Sequence, residues 1–265
     1  MLKDITLGQY FPTNSIVHRL DSRIKIISVL VFIIAVFICD SAFGFLLAVL
    51  FTLSCVFASK ISLATVLKSL KPVFILIIFT AIINLLFTGG DTYVFEWKFI
   101  KITENGLYSA LKMTVRIILL VSFTSLLTFT TSPIALTDGL EALLKPFSKI
   151  GLPSHELAMM MTIALRFIPT LLEETDKIIM AQKSRGADFE TGSIVKRAKS
   201  LIPIMVPLFI NSFRRADELA TAMECRCYRG GKGRTKLKEL KITLKDTIAF
   251  ILVLIVSAVT IIIGA

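Results

Sequence analysis

Five apolar runs, each long enough to approach the thickness of a bilayer, constrain the fold of this chain more than any other feature. A helix needs roughly 17 to 25 residues to cross a bilayer, and each run lies near the short end of that range. A mean hydropathy of +0.79 and a hydrophobic content of 55% agree with lipid as the solvent for much of the chain. The predicted membrane spans are residues 24–39, 42–58, 72–87, 113–130 and 247–263.

Basic residues are distributed unevenly around these spans. Most of the 30 lysines and arginines lie before the first span, in the 60–71 loop or in the long segment 131–246. The positive-inside rule therefore places the N-terminus and segment 131–246 in the cytoplasm and the C-terminus outside. Topology explains much of the +11 net charge, so a nucleic-acid partner is not needed. We expect a multi-pass protein of the cell membrane whose surroundings are the lipid bilayer.

Segment 131–246 is apolar in stripes rather than continuously, which is typical of amphipathic helices. Pro133 suits the first position of one helix, and a second should run from Ser154 to Gly186, where glycine can supply a left-handed residue. A third is predicted over about 193–228. The fold class is therefore an all-α membrane protein: about five transmembrane helices and a cytoplasmic domain of about three amphipathic helices, two of them long and crossing. The predicted domains are 1–130, 131–246 and 247–265.

Two arginines held between small residues end the two long predicted helices. Arg185 and Arg226 each follow an Asp by nine residues and an Ala by four. One such arginine would only complement the helix dipole. Two in matched settings indicate two docking points, because small neighbours let a partner surface close over a guanidinium that suits a buried carboxylate. The neighbours are Ser184, Gly186, Cys225 and Cys227.

Several motifs together resemble one family, and the likeness covers nearly the whole chain: the matching segments are residues 18–25, 133–153, 165–169, 181–186 and 222–228. The chain resembles the transmembrane T component of energy-coupling factor (ECF) transporters, the EcfT/CbiQ-like family. Two departures stand out: the family's second motif is usually Ala-Arg-Gly, and its N-terminal motif usually has a proline where Ser22 stands.

The resemblance implies a non-catalytic scaffold that joins two cytoplasmic ABC ATPases to a separate substrate-binding membrane subunit, the S component. In that family the two motif arginines dock into grooves on the ATPases, a role that falls by match to Arg185 and Arg226. The partner subunits would bind the ATP, so no cofactor is expected here. The unequal motifs favour two different ATPases. Vitamin uptake is the first expectation for the cargo, and the equivalent subunit of a cobalt or nickel importer is the alternative.

Methionines on the long helices suggest a further contact. Their flexible side chains would offer an adaptable apolar surface to the substrate-binding subunit, although ordinary helix packing explains them equally well. The candidates are Met160, Met161, Met205 and Met223.

The sequence lacks the motifs that are typical of several other classes of protein. The 230–234 segment lacks the upstream glycine and the hydroxyl of a phosphate-binding loop, and no catalytic residue is expected. The Cys225–Cys227 pair and two histidines do not make a zinc ligand set, so no metal site is expected. A secondary transporter would need intramembrane acidic or paired charges, and a membrane enzyme would need convergent titratable groups. Both remain distant alternatives.

Overall fold

A computed structural model describes residues 10–89, 93–97, 100–151, 153–187, 189, 193–231 and 240–264. These residues form nine α-helices and two short strands, which confirms the predicted all-α class. The strands pair as an antiparallel hairpin that the sequence did not predict. The elements are α1 (Ser22–Ile38), α2 (Ala42–Ser59), α3 (Leu63–Leu70), α4 (Phe74–Phe87), β1 (Tyr93–Trp97), β2 (Ile100–Thr103), α5 (Glu104–Thr130), α6 (Pro133–Leu144), α7 (Ser154–Ser184), α8 (Ile194–Cys225) and α9 (Leu244–Gly264), with 3₁₀ turns at Lys71–Val73 and Lys145–Ile150.

The described residues cluster into two compact units. The first, called here the membrane unit, draws on Gly8–Gly139 and Glu239–Ala265. The second, called the α7–α8 unit, draws on Leu140–Lys238. The predicted domain boundary at 130/131 thus lies nine residues before the division between the units, and α9 clusters with the first five helices.

Five segments of the described chain are long and apolar enough to cross a membrane, by length and composition: Ala42–Ser59, Leu63–Phe87, Glu104–Thr130, Ser154–Ser184 and Leu244–Gly264. Four of them contain predicted spans. The predicted first span forms α1, whose 17 residues make it one of the shorter helices. At about 1.5 Å per residue α1 is about 26 Å long, just below the thickness of a hydrocarbon core. The fifth segment, α7, was predicted as an amphipathic helix rather than a span, and it has the lowest hydropathy of the five.

Phenylalanines from three helices form the centre of the membrane unit. Phe32 of α1 stacks on Phe123 of α5 with ring centroids 4.1 Å apart, and Phe51 of α2 tilts against both. Val253 of α9 belongs to the same buried cluster. Phe32 is almost fully buried, so one face of α1 packs into the bundle although the helix is short, while Leu30 and Ile34 on α1 are exposed. Burying such a ring stabilises the bundle through close packing, because lipid provides no hydrophobic drive between helices.

The long helices α7 and α8 pack antiparallel in the α7–α8 unit. Asn211 donates a hydrogen bond to Glu174, and Gln182 Nε2 donates to the Pro203 carbonyl at 3.4 Å. As residue numbers rise along α7, their partners on α8 therefore fall. Arg215 adds an ion pair to Glu174 at 3.5 Å and lies over the Phe167 ring. Both helices continue through their internal prolines.

Candidate functional site

The end of α7 is a complete glycine cap that places Arg185 at the boundary of the helix. Gly186 has φ of +84°. Its N–H donates to the Lys183 carbonyl at 3.0 Å, and the Ala187 N–H donates to the Gln182 carbonyl at 3.0 Å. These are the two bonds of a Schellman motif, with Arg185 as the capping residue. The predicted left-handed role of Gly186 is confirmed.

The end of α8 repeats this geometry around Arg226. Cys227 takes the left-handed position with φ of +55°. The Cys227 N–H donates to the Glu224 carbonyl at 2.8 Å, and the Tyr228 N–H donates to the Met223 carbonyl at 3.0 Å. Arg226 is therefore the capping residue of a second Schellman motif. A non-glycine residue in this conformation is strained by about 1 kcal/mol or more. No residue type near position 227 predicted it.

Both arginines and all four of their neighbours are exposed: Ser184, Gly186, Cys225 and Cys227 are accessible together with Arg185 and Arg226. Within the parts of the chain that the structure describes, neither guanidinium makes a hydrogen bond or an ion pair. Each therefore presents all five of its N–H donors. The matched Asp176 and Asp217 are exposed as well.

The two arginines lie on opposite sides of the contact between α7 and α8. Because the helices are antiparallel, their C-terminal ends point away from each other. Arg185 lies about 16 Å along α7 from Glu174, and Arg226 lies about 22 Å along α8 from Asn211, at 1.5 Å per residue. Glu174 and Asn211 are in contact. One molecule thus offers two similar cationic ends at two separate places.

Each arginine-bearing end is braced by the other long helix. The last turn of α7 is attached to α8 through Gln182, whose amide donates to the Pro203 carbonyl. The segment after Arg226 packs on the start of α7, where a side chain at Gly231 would approach the His155 ring within 2.7 Å. His155 Nδ1 is in turn 2.9 Å from Glu141 Oε1 of α6. The capped ends are therefore parts of a packed pair rather than free tails.

The candidate methionines do not form one compact patch. Met205 and Met223 belong to the same helix but are about 27 Å apart along it. Met160, Met161 and Met205 are exposed, whereas Met223 is half-buried.

Met205 instead belongs to an exposed apolar stripe on one face of α8. This α8 stripe repeats at helical spacing, and its Phe209 and Phe213 rings stack with centroids 6.4 Å apart. Residue type predicted only Met205 as a contact, because the exposure of its neighbours cannot be read from the sequence. The α8 stripe consists of Leu201, Ile202, Met205, Val206, Phe209, Ile210 and Phe213.

A polar cluster that joins the starts of α1 and α9 was missed altogether. The Asp21 N–H donates to Asp246 Oδ1 at 2.8 Å, and the other oxygen of Asp246 accepts from the N–H and hydroxyl of Thr243. Arg23 donates to both oxygens of Asp21. Burial raises the pKa of Asp21, but its hydrogen bonds with Arg23 outweigh this effect and hold the pKa below its ordinary value. The spacing Thr243-x-x-Asp246, a capping box, was the available signal.

Lys25 joins the end of α5 to this region. Its ammonium donates to the Thr130 carbonyl at 2.9 Å, the Thr131 hydroxyl at 3.2 Å and the His18 carbonyl at 3.3 Å. The side chain is buried, with only 7% of the residue exposed. Three acceptors match its three donors, which is the condition for burying an ammonium group at tolerable cost.

Potential metal ligands are scattered in the described residues, where no three of His, Cys, Asp or Glu gather into a cluster that could hold an ion. All four cysteines are free thiols, with Cys39 buried, Cys55 half-buried and the pair around Arg226 exposed.

Comparison with known proteins finds one matching family and several similar relatives. The CbiQ family model, described as "Cobalt transport protein", matches residues 13–237. A protein of Clostridium kluyveri is 56% identical over 262 residues, covering 98% of this chain and 97% of its own length. One from Acidaminococcus fermentans is 56% identical over 240 residues (91% and 89%), and one from Bacillus subtilis is 43% identical over 258 residues (97% of each). All three are named "Energy-coupling factor transporter transmembrane protein EcfT".

The resemblance seen in the sequence is thereby confirmed. Helices that can cross a bilayer and relatives that are transmembrane proteins together make this chain a multi-pass membrane protein. The extent and level of these matches lead to one conclusion: the chain belongs to the CbiQ/EcfT family.

Proposed function

We propose that this chain is the non-catalytic coupling subunit of an ECF importer, which transmits movement of two cytoplasmic ATPases to a separate substrate-binding membrane subunit. The observation that carries the proposal is the pair of equivalent helix ends, each with an exposed arginine at the capping position. ATP is bound by the partner subunits, and this chain contributes attachment and movement.

Each arginine suits docking into a groove on an ATPase. An exposed guanidinium gains little from a surface ion pair, but the same group enclosed with a carboxylate forms strong, bidentate hydrogen bonds. The small residues on either side leave room for the groove walls. The Schellman caps fix the direction in which each arginine leaves its helix, which lowers the entropy lost on binding.

The sequences of the two ends differ while their backbones agree. Ser184 and Gly186 flank one arginine, and Cys225 and Cys227 flank the other. Two different ATPases therefore fit this chain better than two identical ones, because each groove would meet different side chains.

The α8 stripe is the surface that we assign to the substrate-binding subunit. Seven large apolar side chains on one helix face are an unusual exposure for a packed helix pair, and such patches mark interaction sites. Met205 and the two stacked phenylalanines would make an adaptable surface that can meet more than one partner.

The antiparallel braced pair suggests how movement is transmitted. ATP-driven closure of the ATPases would draw the ends at Arg185 and Arg226 together, and the braced helices would pass this shift to the substrate-binding subunit as rigid elements. Cysteine cross-linking or spin-label distances between the two ends, with and without ATP, test this step. Equal distances in both states would exclude it.

A vitamin is the cargo that we propose for the complex. The N-terminus and the α7–α8 unit would lie in the cytoplasm and the C-terminus outside. A cobalt or nickel importer is the second candidate, favoured by the description of the matching family model as a cobalt transport protein. Uptake assays with labelled vitamins and with Co²⁺ or Ni²⁺, on the complex purified from its native membrane, separate the two.

The docking role is tested by purification from native membranes. The wild type should bring two ATPase chains with it, and Arg185→Glu combined with Arg226→Glu should lose both. Arg214→Glu is the matched control, because Arg214 is exposed on α8 but lies away from the cap. Recovery of both ATPases with the double variant, or of none with the wild type, would contradict the proposal.

A further inference from the structure

A cavity of about 370 Å³ lies at one end of the membrane unit. Its wall comes from the turn before α1, the starts of α1 and α9, and the ends of α2 and α5. Because α2 and α5 end where α1 and α9 begin, all these residues share one end of the bundle. Representative lining residues are Leu20, Val29, Cys55, Leu127 and Leu252.

The cavity is apolar, and part of its rim is exposed. Ile16, Ser54 and Leu252 line it and are themselves exposed. Protein interiors are close-packed, and an apolar space without contents loses the contacts that packing would give. In a bilayer the hydrocarbon chains of lipids are the apolar groups available to fill it.

Charge at the same end indicates which lipid would fit. Lys245 lies one turn before the lining residue Ala249 on the same face of α9, and Arg19 adjoins the lining residue Leu20; both cations are exposed. The carboxylates at the two helix starts, Asp21 and Asp246, are buried and satisfied by hydrogen bonds. The exposed charge beside the cavity is therefore positive, which favours an anionic headgroup.

We propose that this cavity binds one acyl chain of an anionic phospholipid from the surrounding bilayer, with the lipid phosphate held by Arg19 and Lys245. Lys25, which also lines the cavity, directs its three donors to protein oxygens, so it forms part of the wall rather than the headgroup site. The site would hold a lipid between α1, α2, α5 and α9, independently of any docking by the α7–α8 unit.

Native mass spectrometry of the full chain, titrated with phosphatidylglycerol or phosphatidylcholine, tests the site. The wild type should retain one phosphatidylglycerol more tightly than phosphatidylcholine. Ala249→Phe should weaken both lipids by about tenfold, because the ring displaces about two methylenes of chain. Arg19→Gln with Lys245→Gln should weaken phosphatidylglycerol by about 30-fold, and should weaken phosphatidylcholine much less, because its choline cation offsets the charge of its phosphate. Ala258→Phe on the exposed part of α9 and Lys68→Gln on α3 are the matched controls and should leave both affinities unchanged.

Equal retention of the two lipids by the wild type, or unchanged retention by both variants, would overturn the proposal. If Ala249→Phe does not fold, Ser54→Phe blocks the opposite wall. Photolabelling of the wild type with a tail-diazirine phosphatidylglycerol provides an independent readout. Labels concentrated in residues 51–58 and 249–253 support the site. Labels spread evenly over the exposed helices, or cross-links to a second copy of the chain, contradict it.

Discussion

Gly186 and Cys227 occupy the same left-handed backbone position, one residue after Arg185 and Arg226, with φ of +84° and +55°. The hydrogen bonds around the two positions correspond one for one. The agreement between the two helix ends is therefore in the backbone, although the residues that form them differ. Both arginines leave their helices from the same capping position.

Substitutions at Gly186 and Cys227 should have opposite effects on stability. Gly186→Ala should lower the free energy of unfolding by about 1 kcal/mol, because a Cβ is unfavourable at positive φ. Cys227→Gly should relieve strain and raise it by a few tenths to about 1 kcal/mol. Thermal unfolding of the purified chain measures both. Gly89→Ala is the control, since Gly89 lacks a positive φ and has open space around it. Equal effects of all three substitutions would show that the caps are not strained as described.

Lys25 should contribute to the stability of the membrane unit, although it is a charged residue near the end of a span. Lys25→Met keeps the length of the side chain but removes all three donors, leaving the buried Thr130 carbonyl without this partner. We expect a loss of about 1–3 kcal/mol in the free energy of unfolding. Lys68→Met, at an exposed position, should have an effect near zero. A tolerated Lys25→Met would mean that water or backbone groups satisfy the same carbonyls.

The Asp21 carboxylate predicts an acid limit on stability. Its pKa lies below the ordinary value of 3.8 in the folded chain. The unfolded state therefore binds the proton more readily, and the stabilisation from Asp21 is present above about pH 4 and is lost as the pH falls through the folded pKa. Between pH 6 and about pH 3, the free energy of unfolding should fall less steeply with decreasing pH for Asp21→Asn than for the wild type. Parallel pH profiles would contradict this assignment.

The α8 stripe should matter for the substrate-binding subunit and not for the ATPases. Met205→Gln with Phe209→Gln places amides on the exposed face and should release the substrate-binding subunit from the purified complex while both ATPases remain. Thr221→Gln is an exposed substitution on the same helix outside the stripe. Loss of the ATPases together with the substrate-binding subunit would indicate unfolding of the helix pair instead.

Local signals in the sequence predicted the helix-forming segments and one of the two caps. Apolar length identified the spans, and glycine at 186 marked the end of α7, because both depend on residues close together in the chain. The end of α8 could not be predicted in the same detail, since cysteine has no particular preference for the left-handed conformation. Likewise, 17 residues of apolar sequence do not decide whether α1 crosses a bilayer; its burial among α2, α5 and α9 depends on packing.

Long-range polar contacts were beyond the reach of sequence patterns. The Asp21 N–H and the Asp246 carboxylate are 225 positions apart in the chain. Each has an ordinary local explanation as a cap, and nothing in either segment names the other as its partner. The antiparallel register of α7 and α8, which separates Arg185 from Arg226, likewise became apparent only from contacts such as that between Asn211 and Glu174.

The number of ATPase chains bound by single variants tests the central claim most directly. Mass measurement of the purified complex should give two ATPases for the wild type and for Arg214→Glu. It should give one for Arg185→Glu and one for Arg226→Glu, with a different ATPase retained in each case. Two ATPases retained by both single variants would contradict the assignment of the two capped arginines as separate docking points.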